Sequence, residues 1–125
     1  MLKMFLITGA GGFFGSGLRY LSQRWIAQLL PVSFPYGTLF INILGSFLIG
    51  IIFALGDKTR VLTPEMRMFL AVGFCGGFTT FSSFSLDSYG LLKDGQYLYF
   101  SIYMIASIAA CISAVIASIW LIKSL

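Results

Sequence analysis

Residues 73–84 read Gly73-Phe74-Cys75-Gly76-Gly77-Phe78-Thr79-Thr80-Phe81-Ser82-Ser83-Phe84, with three glycines, four hydroxyls and four aromatics inside a run otherwise apolar enough to cross a membrane. Hydrocarbon cannot satisfy a loosened backbone. Glycines without a Cβ invite a helix break, and irregular backbone survives at membrane depth only where it lines a cavity or is buried in protein. The segment therefore predicts a broken helix around something that binds or passes.

The rest of the chain supports a membrane setting. Of its 125 residues 58% are hydrophobic and 10% charged, and the mean hydropathy is +0.95. A soluble domain of that composition would leave too much apolar surface uncovered. The length holds about four helical spans of roughly 20 residues and leaves no room for a separate soluble domain. We therefore expect one four-span domain over residues 1–125.

The first span is expected from about Met4 to Leu30, ended by Pro31 and Pro35, and the second from about Tyr36 to Leu55, ended by Gly56-Asp57-Lys58-Thr59-Arg60. The third begins near Pro64 and carries its apolar character through the break to Leu92. A turn at Lys93-Asp94-Gly95 leads to the fourth, from about Tyr97 to Ile122. Lys3 precedes an apolar run, but that run extends far past a signal-peptide core and contains Arg19 and Arg24, so it reads as a retained span. Four spans put both termini on one side, with Lys3, Lys58, Arg60, Arg67 and Lys123 there and Arg24, Lys93 and Arg19 opposite or near it. This bias is small, and small bias permits insertion in both orientations and hence an antiparallel homodimer.

Charge and chemistry exclude several classes. The net charge is +4, but the basic residues are scattered over helix ends, which fits anchoring at the membrane surface and not nucleic-acid binding. There is no histidine, and the two cysteines, Cys75 and Cys111, lie in apolar spans without metal-ligand spacing, so they read as small packing residues. Four acidic residues and no histidine assemble no catalytic set; the chain does not read as an enzyme. Gly9 to Gly17 imitates a dinucleotide loop, yet no strand precedes it and no acid follows at the needed distance. Gly11 and Gly15, like Gly73 and Gly77, are instead spaced four apart, a pattern that lets helices approach closely in lipid.

Polar residues within spans mark bundle interiors or pathways. Thr38, Asn42 and Ser46 follow one another at single-turn spacing on the second span, so they form a stripe on one face. The first, second and fourth spans have no mid-membrane carboxylate to carry a proton, and Asp87 after the break reads equally as a mouth residue.

Three segments in order, Gly17-Leu18-Arg19-Tyr20, Gly37 to Phe47 around Asn42, and Gly73 to Phe84, closely resemble the signature segments of the CrcB/Fluc family of fluoride ion channels. The resemblance runs from the first span through the fourth. It implies an all-α membrane protein of four transmembrane helices, the third broken mid-membrane, assembled as an antiparallel dual-topology homodimer. It also implies passive fluoride export through two pores in a microbial plasma (inner) membrane, with lipid and a second copy as partners. Asn42 then corresponds to a pore-lining asparagine, and Phe81 and Phe84 to phenylalanines whose ring edges face the ion. Gly76 and Thr79 correspond to positions whose carbonyls hold a structural sodium ion (Na+) at the dimer interface. Arg19 corresponds to an arginine near the aqueous approach, and Ser82 and Ser83 to a hydroxyl-bearing pair.

The chemistry of these types suits the assignment. A small, strongly hydrated anion needs weak, repeated donors. The Asn42 amide has two N–H groups, Thr38, Ser82 and Ser83 each offer a hydroxyl, and an aromatic edge is the positive part of the ring quadrupole. The alternative is a proton-coupled small multidrug resistance transporter, which needs a first-span carboxylate; none lies between Met4 and Leu30.

Overall fold

The computed structural model describes residues 1–125 as four long helices with no strand. α1 spans Leu2–Leu29 and α2 Tyr36–Lys58. α3 covers Pro64–Lys93 and α4 Tyr97–Ser124. α2, α3 and α4 are each long and apolar enough to cross a membrane, which makes this an integral membrane protein. α1 is long enough but more polar, because glycines, Arg19, Gln23 and Arg24 interrupt its apolar residues.

Local signals set the boundaries. Pro31 and Pro35 separate α1 from α2, since proline cannot continue a helix. α3 starts with Pro64 in its first turn and Thr63 as cap, its hydroxyl accepting from the Met66 N–H at 3.2 Å. Gly95, the one residue with positive φ (71°), makes the turn into α4.

The two ends of the chain meet the α2–α3 connection. Lys3 Nζ lies 3.4 Å from Glu65 and Lys123 Nζ 4.0 Å from Asp57. Lys58 donates to the Ile122 carbonyl at 3.0 Å and Arg67 to the Gly56 carbonyl at 2.6 Å. Both termini and that loop thus share one end of the bundle, as four successive long helices running up and down require.

α3 is built in two halves. Its first half runs through a helical turn at Pro64–Arg67, a π-helix at Met68–Cys75 and Gly76–Phe78; the second half is Phe81–Lys93. Thr79 and Thr80 between them are extended (ψ 159° and 116°). The break therefore falls on the threonines and not on the glycines. Gly76 stays helical, with φ −62° and ψ −37°. The glycines serve close approach instead. A Cβ on Gly11 would press on the Phe69 carbonyl and one on Gly73 would sit 2.6 Å from the Thr8 carbonyl, while one on Gly77 would lie 2.8 Å from the Gly12 carbonyl. α1 and the first half of α3 thus meet backbone to backbone, as the fourfold spacing predicted. The second half instead joins a largely aromatic apolar cluster of Phe34, Phe84, Leu91 and Tyr103.

Candidate functional site

The break would leave Thr80 with an unpaired N–H and carbonyl, a cost of about 1–3 kcal/mol for each buried orphan. Asn42 removes it. The Thr80 N–H donates to Asn42 Oδ1 at 2.8 Å, and Asn42 Nδ2 donates back to the Thr80 carbonyl at 3.1 Å. One amide from α2 thus pairs both backbone groups of an extended residue, as a neighbouring strand would.

Thr80 is also the start signal for the second half. Its Oγ1 accepts from the Ser83 N–H at 3.1 Å and lies 3.1 Å from both the Ser82 and Ser83 hydroxyls. This is the N-cap arrangement, and it explains why helix resumes one residue later. Sequence reading passed over Thr80. The signal for it was present, since threonine is a favoured N-cap residue.

The end of the first half is closed from α1. Arg19 Nε donates to the Gly77 carbonyl at 3.0 Å, with Ser16 Oγ at 3.5 Å, so a cation sits at a helix C-terminus, where the macrodipole favours it. The Cys75 carbonyl accepts from both the Thr79 N–H at 2.9 Å and Thr79 Oγ1 at 2.8 Å. The carbonyls of Gly76 and Thr79 receive no such bond, because the donors that would reach them, the Thr80 and Ser83 N–H groups, are taken by Asn42 and the Thr80 hydroxyl. Free carbonyl oxygens at a helix break are hard donors suited to an alkali cation. No group of three or more acidic, histidine or cysteine side chains gathers to hold a metal ion.

These elements surround a cavity of about 400 Å³ between α2, α3 and α4. Of the residues singled out from sequence, Asn42, Gly76, Thr79, Phe81 and Phe84 line it. Ser46 of the α2 stripe joins them, with Thr80, Ser107 and both cysteines. Cys75 is buried and Cys111 half-buried there. Ser107 Oγ is buried without a hydrogen-bond partner, and no charged side chain lines the wall.

Phe81 and Phe84 lie on one helical face with ring centroids 5.5 Å apart, yet their surroundings differ. Phe84 is 8% exposed and packs 5.1 Å from the Tyr103 ring, whereas Phe81 is 78% exposed. Four predicted residues stand away from the cavity wall. Thr38 is buried one turn before Asn42 and accepts from Gln23 Nε2 at 3.1 Å. Arg19 is committed to Gly77, and Ser82 and Ser83 gather around the Thr80 hydroxyl. Thr38 borders a second recess with Gln23 and Asp87, and Asp87 accepts from the Tyr103 hydroxyl at 3.1 Å. On α4, Tyr103 is fully buried, Ser107 faces the cavity, and Ser113 faces outward among Ile102, Ile105 and Ala109.

Residues 6–119 match the family model described as CrcB-like protein, Camphor Resistance (CrcB). Among curated relatives, a protein of Leptospira interrogans serovar copenhageni named fluoride-specific ion channel FluC is 44% identical over 122 residues, 98% of this chain and 96% of its own. Proteins of the same name from Chlorobium chlorochromatii and Chlorobaculum tepidum are 50% identical over 103 residues and 45% over 128. These alignments cover 82% and 96% of this chain and 79% and 98% of theirs. Their shared name is that of a channel and not of an enzyme.

Proposed function

The chain belongs to the CrcB-like family, and on that premise we propose that it is a fluoride channel of a microbial plasma membrane, passing the ion down its gradient through the cavity beside the α3 break. The relatives' shared name supports the choice of ion. One observation of this chain carries the route: Asn42, Phe81 and Phe84, from two different helices, line a single uncharged cavity.

Fluoride holds its water tightly, so a path must replace water with donors and must not trap the ion on a full cation. Asn42 spends one N–H on the Thr80 carbonyl, and its second is free for an anion. Ser107 Oγ has no partner and can turn its proton toward the cavity. The edges of the Phe81 and Phe84 rings add weak positive potential. Arg19, which bonds the end of the first half of α3, is occupied by Gly77 and serves the helix end. Thr38, Ser82 and Ser83 then act on the approach to this path and not on the cavity wall.

The working unit is an antiparallel dual-topology homodimer with two such paths. Exposure of Phe81 at 78% and of Gly76 on the same side supports a face covered by another copy. The uncommitted carbonyls of Gly76 and Thr79 fit sodium, which as a hard ion prefers neutral oxygen. When bound it supplies a central positive charge that draws two such breaks together. It is structural and is not transported.

Fluoride-electrode recording of efflux from liposomes holding the purified protein tests the reading. Fast efflux that needs no proton gradient is expected. A proton requirement would favour coupled transport, but no carboxylate lines the cavity or lies in α1. Vesicles that retain fluoride would overturn the channel reading.

A further inference from the structure

We propose that the same cavity is a site for a soft, thiophilic d10 cation such as Ag+, bound by the thiols of Cys111 and Cys75, and that its binding closes the fluoride path. The closing half rests on the function proposed above; the binding half does not. Both cysteines of the chain line this one cavity from opposite helices, Cys75 from α3 and Cys111 from α4. Neither sulfur takes part in a hydrogen bond, although the Cys75 carbonyl does. Cys75 is 2% exposed and Cys111 partly exposed, so an incoming ion meets Cys111 first.

A second observation points to a ligand. Ser107 lies one helical turn before Cys111, on the same face. It is 7% exposed, lines the same cavity, and its Oγ has no partner. A buried hydroxyl with its bonding capacity unused and two thiols outside any hydrogen bond thus line one space.

The chemistry balances without an oxidant. The Cys111 thiol releases its proton to water and its sulfur forms the metal–sulfur bond, while Cys75 stays protonated and coordinates through a sulfur lone pair, leaving a neutral adduct with oxidation states unchanged. Neutrality matters here, because no carboxylate lines the cavity to balance a free cation. Softness separates this site from the carbonyls of Gly76 and Thr79, since sulfur selects silver and carbonyl oxygen selects sodium.

The test uses the whole protein in liposomes with chloride-free nitrate salts and silver nitrate as probe. Each variant's efflux is compared with its own untreated rate. Wild-type efflux should fall roughly tenfold or more and return with dithiothreitol. Cys111→Ser should keep its rate within about twofold, and Cys75→Ser should need more silver for the same block. Independently, desalted wild-type protein should retain about one more silver ion per chain than the double variant C75S/C111S, with Cys111 protected from maleimide. Cys111→Ala, checked for an unchanged elution profile, guards against a folding defect in the serine variant. Equal silver retention by wild type and double variant, or full block of Cys111→Ser, would overturn the proposal. Wild-type vesicles that hold fluoride before any silver is added would overturn the channel reading alone, and silver retention would still decide the site.

Discussion

The two halves of α3 stand one residue pair apart and are held by opposite means. In residues 64–78, Gly73 and Gly77 meet the backbone of α1 at Thr8, Gly11 and Gly12, and Arg19 and Ser16 close the end of the seam on the Gly77 carbonyl. Phe81–Lys93 is held by side chains, through the rings of Phe84, Tyr103 and Phe34 and the Thr80 cap. Lipid gives helices no hydrophobic drive to associate, so the first half relies on close van der Waals approach and the second on filled volume and hydrogen bonds. A broken helix anchored by two independent schemes can hold its break still, and the break is where the cavity opens.

The contrast breaks first at the glycines. Gly15→Val puts a side chain against the Phe74 carbonyl and near the Phe78 N–H, and should cost about 3 kcal/mol or more through overpacking. Gly90→Ala in the second half meets nothing within 4 Å and should be neutral or slightly stabilising by thermal melting in detergent. Equal losses in both would show that the halves do not differ in kind.

The next test sets two rings of one helix against each other. Phe84→Ala should lose about 3 kcal/mol by opening a cavity in the aromatic cluster, while Phe81→Ala should lose under about 1 kcal/mol, since its own chain leaves it exposed. Both should slow fluoride efflux. A Phe81 loss as large as that of Phe84 would sharpen the comparison, because only another copy would then supply the missing packing.

Asn42 sits between the halves. Asn42→Ala strands the Thr80 N–H and carbonyl and should cost about 1–3 kcal/mol with loss of efflux. Asn42→Asp keeps the acceptor but loses the donor, so it should retain part of the stability and none of the flux. Wild-type flux in Asn42→Asp would remove the amide from the ion's path. The smallest effect is at the cap, where Thr80→Val should cost about 1 kcal/mol and Thr80→Ser a few tenths, as read from unfolding midpoints.

Much of this was legible in the sequence. Hydropathy and prolines placed four helices, with α1 starting two residues earlier than expected and α2 running on to Lys58. The fourfold glycine spacing announced close helix approach, though not which helices would meet. The position of the break was not legible, because a glycine is equally suited to loosening a helix and to admitting a neighbour. Only the presence of α1 selects the second use, and only the amide of Asn42 makes an extended Thr80 affordable at depth.

Composition and periodicity determined by themselves that the chain suits lipid, how many long helices it forms, and which residue types gather on α2 and α3, since these depend on each residue's own transfer cost and helical angle. Tertiary structure decided which of those residues share a wall. It directed Arg19, Ser82 and Ser83 to helix ends, brought Ser107 and the two cysteines to Asn42, and gave Phe81 and Phe84 different surroundings. The physical reason is that a polar group in a membrane takes whichever partner the folded neighbours offer, and those neighbours lie tens of residues away along the chain.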